Sequence, residues 1–560
     1  VTALHRTCWL VAAVLLGMVA ALFPVTPDKI PAIFFRQQDL PVLIVAVAAL
    51  VYVGWRAPSG RLPELTLRLP MIAVAAVLLA LVLWAGTYFV MYDYPLTRDE
   101  HMVVFDMDIF RGGNLAQPLA PGWREFSDAL VPDFLLDVPG HALLVSNYMP
   151  GNAMMRTAFS YIADPALVNP LLAAGGLVAL FDIARRLFPG NSCAILVVLA
   201  SYVLSAQVLA TAMTAYAMTG HLALNLIWLA LFLRGRWWQH LVAMGIGVWA
   251  IGLHQIVFHP LFAGPILLTL LPQRRWGLFA AYSAAYAAGL LFWISYPAMV
   301  VDSFGIAAAD GSVQGARGFF EYRVKPLFEN QSLTSFKIMA FNLARFAAWM
   351  PLFLLPLVAL SREAIVRRQG MALALFGSIA ATLLAMLVLL PYQGHGWGYR
   401  YFHGVIGNFA LLAGYGYVRW AKADRKAADG SVLALGAVTA AVTLPMCLWA
   451  AHGFIRPYAQ LQRTIDAQDS DFVIVDTHPG LIAADLVRNR ADMSNRPVIL
   501  WGPSLSAAQT ETLCERGSIT AMTRADLHRS AFSPPLLPPS SGFVALTKGI
   551  AGRPCLRSAR

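Results

Sequence analysis

Twenty residues from Met71 to Val90, MIAVAAVLLALVLWAGTYFV, contain no charged side chain. As a helix they would rise about 30 Å, the thickness of a bilayer's hydrocarbon core. In lipid such a helix satisfies its own backbone hydrogen bonds and presents only apolar side chains. Runs of this kind recur along the chain, which is 58% hydrophobic and 13% charged. They predict an all-α polytopic membrane protein. Its spans lie near 8–25, 40–55, 70–91, 166–187, 191–208, 217–233, 239–255, 258–272, 276–298, 340–360, 370–391, 402–419 and 431–451. The Cys8–Phe23 run lacks a small-residue cleavage site and reads as the first span, not a signal peptide. The net charge of +11 is scattered between spans, which argues against nucleic acid as a partner.

Arginines set the orientation. One alternating set of connections holds Arg6; Arg56, Arg61 and Arg68; Arg185 and Arg186; Arg234 and Arg236; Arg274 and Arg275; Arg362, Arg367 and Arg368; and Arg419, Lys422, Arg425 and Lys426. The short connections of the other set hold only Lys29, Arg36 and Arg400. The positive-inside rule makes the first set cytoplasmic. Thirteen spans then leave the C-terminus outside, together with the long polar segments 92–165, 299–339 and 452–560. Cys8, Cys193 and Cys447 fall in spans; Cys514 and Cys555 share the outside tail, where a disulfide could survive. Within that tail DFVIVDTHPG and RPVILWGPS read as buried strands and SLSAAQTETLCERG as a helix leading to another short strand. This predicts a small α/β module docked on the membrane part. SPPLLPPSSG reads as an irregular surface segment.

Asp99 and Glu100 stand side by side about eight residues past the third span. Thr97 could cap a helix there, with Glu100 closing a capping box. Met102, Phe105 and Ile109 follow at helical spacing, as in an amphipathic helix lying on the membrane surface. The loop is about 70 residues long, and loops of that length are often functional. Its second half, SNYMPGNAMMRTAFSYIADP, has turn chemistry followed by a helical stretch; Tyr148 and Asn152 in it are candidate substrate contacts.

An Asp-Glu pair early in a first large outside loop, then surface helices and a multi-span bundle, resembles the GT-C superfamily of glycosyltransferases. The nearest look is to the protein O-mannosyltransferase and aminoarabinose transferase type. The resemblance covers roughly 70–420 plus an outside C-terminal domain. It implies three parts: two N-terminal transmembrane helices (1–69), a GT-C-like catalytic core (70–451) and a periplasmic α/β domain (452–560). It departs from the family in placing the pair after the third span rather than the first. It implies an enzyme that takes a sugar from a polyprenyl-phosphate donor and places it on a glycan, lipid or protein acceptor at the outer face; the Arg- and Ala-rich composition suggests a bacterial inner membrane. Asp99 would be the general base. A carboxylate with an ordinary pKa of about 4 is a weak base, which suffices when the proton leaves late. Glu100 would orient the acceptor or bind a metal, and Arg98 would pair with a carboxylate or meet the phosphate.

Three further clusters could complete such a site. TAYAMTGHLALNLIW opens the sixth span with His221, where related enzymes often carry an acid, and Asn225 lies one turn on. GLHQIVFHPLF brings His254, Gln255 and His259 to one turn, where polar side chains are costly against lipid. PYQGHGWGYRYFHG carries His395, Tyr399, Arg400 and His403; the arginine fork suits phosphate oxygens, while its aromatics could equally be interfacial anchors. Glu321, Arg323 and Lys325 are weaker candidates. Histidines and carboxylates that could hold a divalent metal ion are present, but no compact motif such as HExxH, and no P-loop or GxGxxG. The competing readings are an O-antigen ligase or polymerase using a diphosphate-linked oligosaccharide, which would rely on Arg400, and a transporter or flippase.

Overall fold

The computed structural model describes residues 5–26, 30–130, 135–306, 325, 333–476, 486–523 and 541–557. Glu321, Arg323, most of the 299–339 loop and most of SPPLLPPSSG lie outside the described residues. The chain divides into two compact units. The first comprises 1–90, 166–293 and 320–451; the second comprises 91–165, 294–319 and 452–560.

Helix lies over every expected span, but not always as one straight rod. Among the described residues seven helices are long and apolar enough to cross a membrane, or nine when two bent pairs each count as one. Ser192–Val203 and Ala206–Ala212 meet at 51°, where Ser205 caps the second helix by accepting from the Val208 N–H at 3.2 Å. Thr334–Trp349 and Leu354–Val366 meet at 108° across Pro351, which cannot supply the N–H that a continuous helix needs. Met218–Arg234 and Phe258–Leu270 are shorter apolar helices. Hydrophobic periodicity reads none of these breaks, because the cap at Ser205 and the proline at Pro351 are local features that leave the apolar pattern unchanged.

Leu69–Phe89 shows how the first unit packs. Ala76, Ala80, Leu83 and Gly86 form its buried stripe, and Val74, Leu78, Leu81, Val82 and Phe89 stay exposed. Small residues let helices approach closely where lipid provides no hydrophobic drive between them. The N-terminal helices bring a buried charge into the same unit. Arg345 donates to Gln38 Oε1 at 2.7 Å and pairs with Asp39 at 3.8 Å, while Trp349 Nε1 donates to Asp39 at 2.8 Å.

In the second unit Phe472–Val475, Val498–Trp501, Ile519–Met522 and Leu556–Arg557 form a parallel sheet. Phe472–Val475 lies between Val498–Trp501 and Ile519–Met522, and Leu556–Arg557 forms the far edge. Phe472–Val475 and Val498–Trp501 are apolar on both faces, as parallel strands covered on both sides are. Phe472, Ile474, Val498 and Leu500 share one core with Met102, Phe105 and Ile109. The apolar stripe of Arg98–Arg111 is therefore buried against the tail's sheet rather than laid on lipid. Helical spacing reveals that a face must be covered, not by what.

Cys514 and Cys555 form a disulfide with Cα atoms 5.3 Å apart, closing a sequence separation of 41. It ties Ala507–Arg516 to the chain just before the edge strand. Replacing Cys514 with Ser is expected to destabilise the second unit by about 2–4 kcal/mol. Denaturant unfolding of the full chain, followed by proteolysis of the tail, measures it.

Candidate functional site

The acidic helix Arg98–Arg111 starts the way its sequence suggests. Thr97 is the N-cap in extended conformation, and Thr97 with Glu100 forms a capping box. Glu100 Oε2 accepts from the Thr97 N–H at 3.4 Å. The buried Glu100 carboxylate thus serves the helix end. Asp99, one residue earlier, is half-buried and receives the Tyr148 hydroxyl at its Oδ1. Two adjacent acids are sorted into two jobs by one turn of helix.

Arg98 is also part of the scaffold. Its guanidinium donates to His101 Nδ1 at 3.0 Å and to the Val487 carbonyl at 3.2 Å. Burial, with Arg98 and Arg488 beside it, holds the His101 imidazole well below its ordinary pKa, so the ring is neutral and accepts. Arg488 lies over the Tyr94 ring at 4.1 Å and donates to the Pro95 and Leu96 carbonyls. Residues 487–488 therefore grip the entry to the acidic helix from the tail.

Asn152 is buried on Gly151–Ser160, the helix that follows Tyr148. One turn further, Arg156 donates to the Pro165 carbonyl at 3.0 Å. Burial pulls Arg156 down to about 10, with Glu100, Asp93 and Asp164 opposing that shift. One buried guanidinium thus faces carboxylates from both ends of the loop. At the far end of the acidic helix Asp108, Arg111, Gln117, Arg490 and Asp492 line a polar cavity of about 400 Å³. Arg490 and Asp492 pair there at 3.4 Å, so much of its charge is cancelled internally.

The remaining candidates belong to the first unit. Asn225 donates to the Gly404 carbonyl at 2.9 Å and receives His259 Nδ1 at 2.8 Å. His259 Nε2 meets the Tyr286 hydroxyl at 3.0 Å, so both of its ring nitrogens are engaged in packing the core. His221 and His403 are fully buried, and neither ring has a hydrogen-bond partner among the described residues. His221 stands edge-on to Phe258 at 5.2 Å, and His254 stacks on the same ring at 6.4 Å. His254, His259 and His403 all lie within electrostatic range of His221. Gln255 sits half-buried in the turn beside them. The structure thus gathers His221, Asn225, His254, His259 and His403 into one polar cluster within an apolar bundle.

His395, Tyr399 and Arg400 form a second group. Two glutamines build the turn that presents them. Gln207 receives the Tyr399 N–H at 3.1 Å and donates to the Tyr399 carbonyl at 2.8 Å. Gln393 receives the Arg400 N–H at 2.9 Å and donates to the Gly398 carbonyl at 3.2 Å. The buried Arg400 guanidinium lies 5.2 Å from the Tyr401 ring and 5.8 Å from the Tyr216 ring. Tyr216 in turn meets His395 Nδ1 at 3.3 Å. Sequence reading missed Gln207, Gln393 and Tyr216. For Gln207 the available signal was an amide inside an apolar span, a rare and costly placement.

Gly398 has φ +68, and a Cβ there would lie 2.2 Å from Gln207 Oε1. The left-handed conformation alone costs a residue with a Cβ about 1–2 kcal/mol. Gly398→Ala is therefore expected to lower the melting temperature measurably and to dislodge the turn that carries Arg400, which thermal melting checks. Among the described residues no three His, Cys, Asp or Glu side chains are grouped so as to hold a metal ion.

No protein-family model and no curated protein sequence matches the chain. Solved structures do. ArnT from Cupriavidus metallidurans, in a crystal structure bound to undecaprenyl phosphate, aligns over 84% of this chain and 90% of its own, with a TM-score of 0.51 at 13% identity. The chain shares the fold of ArnT. The apo form of the same ArnT aligns over 86% of this chain and 91% of its own, with a TM-score of 0.49 at 12% identity. The arabinosyltransferase EmbB from Mycobacterium smegmatis aligns over 69% of this chain and 34% of its own, with a TM-score of 0.36 at 14% identity.

Proposed function

We propose that this protein is a bacterial inner-membrane glycosyltransferase that moves a sugar from a polyprenyl-phosphate donor to a lipid, glycan or protein acceptor on the periplasmic face. What carries this reading is the fold: ArnT, whose structure holds undecaprenyl phosphate, shares it over 84% of this chain. In the reaction the acceptor oxygen attacks the anomeric carbon of the donor sugar. The bond from that carbon to the phosphate oxygen breaks, and polyprenyl phosphate leaves with the electron pair. The acceptor's proton passes to Asp99 as the new bond forms. The Tyr148 hydroxyl, donating to one carboxylate oxygen, fixes the direction in which Asp99 presents itself.

Arg400 answers the charge that gathers on the leaving phosphate. A guanidinium held in a dry site stabilises a developing anion far more than it would in water. The guanidinium lies over the Tyr216 and Tyr401 rings and donates one N–H to the Tyr401 hydroxyl at 3.4 Å. His221 and His403 supply buried donors and acceptors suited to phosphate or sugar hydroxyls. Glu100 and Arg98 serve the helix that carries Asp99.

The test uses the full-length protein in lipid nanodiscs with a radiolabelled polyprenyl-phosphate hexose or pentose and a membrane extract. Label is expected in the lipid, glycan or protein fraction, with matching release of polyprenyl phosphate. Transfer only from a diphosphate-linked oligosaccharide would overturn the donor assignment. Movement of intact label across vesicles without transfer would overturn the enzymatic reading.

A further inference from the structure

Seven residues after Asp99, two turns along the same helix, stands a third carboxyl. Asp106 is buried, 5% exposed, and its carboxyl lies beside the Ser146 side chain, close enough for that hydroxyl to favour the charged form. Two turns of helix return a side chain to nearly the same face. Ser146 Oγ accepts the Tyr148 N–H at 3.1 Å. The Tyr148 hydroxyl then donates to Asp99. The circuit leaves the helix at Asp106, runs through two residues of the neighbouring segment, and returns to the helix at Asp99.

We infer that Asp106 and Ser146 are positioning residues for Asp99, acting through Tyr148. This rests on the reading of Asp99 as the base. Tyr148 is half-buried on a segment that the backbone pins at one end, where Leu135 bridges to Ser146 and the Leu136 N–H bonds the Val145 carbonyl at 2.8 Å. That bridge holds the segment but leaves the direction of the Tyr148 ring open. The Ser146 acceptor on the Tyr148 N–H fixes the turn, and the Asp106 carboxyl beside Ser146 is placed to hold its hydroxyl. A helix cap or a core contact would need no such chain of groups. Burial pushes Asp106 up to about 8, against the opposing pull of the Ser146 hydroxyl beside it, so near neutral pH it enters the circuit as an uncharged carboxyl. Among its neighbours from other elements are Ser146 and, from Trp276–Ser303, the Tyr296 phenol.

The experiment compares Ser146→Ala, Asp106→Leu and Tyr148→Phe, alone and in pairs, in full-length protein transferring a radiolabelled polyprenyl-phosphate sugar. Each is expected to lower kcat about tenfold, the loss of one hydrogen bond's worth of positioning, with KM within about twofold. Any pair is expected to lose no more than a single variant does, because all three act through one contact. Ser146→Thr restores the hydroxyl and is expected to recover at least about half of kcat. Multiplying losses, or Ser146→Thr failing as Ser146→Ala does in a protein that melts normally, overturns the inference. If Asp99→Asn is inactive while Ser146→Ala is unaffected, the positioning role alone falls. If Asp99→Asn transfers normally, the base assignment falls first. A readout free of turnover is 3-fluorotyrosine placed at position 148. Its fluorine resonance is expected to move in the same direction in Ser146→Ala as in Asp99→Asn, and an unmoved resonance in Ser146→Ala contradicts the circuit.

Discussion

Asp99→Asn is expected to lower kcat for sugar transfer by about 10²–10⁴-fold, the usual contribution of a general base, with KM for the donor changed only a few-fold. The substitution keeps the size of the side chain and its place in the first turn. It keeps an acceptor for Tyr148 but cannot take a proton. The neighbouring acid gives the internal comparison. Glu100→Ala removes the capping box that Glu100 closes with Thr97 and an acidic neighbour of the buried Arg156. It is expected to destabilise the protein by about 1–2 kcal/mol, the range for a lost helix cap. Its kcat should fall far less than that of Asp99→Asn, once corrected for the fraction folded. Steady-state transfer and thermal melting on the same preparations separate the two effects. Equal kinetic losses at both positions would remove the distinction between base and cap.

The second large effect is expected at Arg400. Arg400→Lys keeps the charge and replaces a planar fork by a point donor, which is not conservative where a phosphate is to be gripped. A loss of about 10–100-fold in kcat/KM is expected, in the range for removing one donor aimed at a developing anion. The local backbone should survive, because Gln393 holds the Arg400 N–H and Gln207 holds Tyr399 through main-chain groups. Kinetics for a series of donors with shortened polyprenyl chains reads the effect. A loss that persists at every chain length assigns Arg400 to the phosphate. A loss confined to long chains assigns it to the lipid.

The parts of this architecture governed by neighbours in sequence were legible in the residues. The apolar runs placed the helices, and Thr97 with Glu100 announced a helix start. The alternation of strand and helix in the tail announced an α/β module. The parts governed by long-range contacts were not. Met102, Phe105 and Ile109 showed a face to be covered, yet nothing local could say that strands nearly 400 residues later cover it. The bond from Arg98 to the Val487 carbonyl joins residues 389 apart, and no local pattern announces it. His259 and His221 look alike in sequence. Only the fold shows that Asn225 and Tyr286 engage the first and that packing rings enclose the second. Nothing local marks Asp106, because Ser146, the group the fold brings beside it, lies 40 positions on.

The central claim is that the Asp99 carboxylate takes a proton from an acceptor while a lipid-linked sugar is being transferred. A single-turnover measurement addresses it most directly: wild type and Asp99→Asn are each loaded with one equivalent of radiolabelled polyprenyl-phosphate sugar, binding is measured, acceptor membranes are added, and released polyprenyl phosphate is followed in time. Both proteins are expected to bind donor within about twofold, and only the wild type to release polyprenyl phosphate in one rapid phase. Release by Asp99→Asn at the wild-type rate would contradict the account.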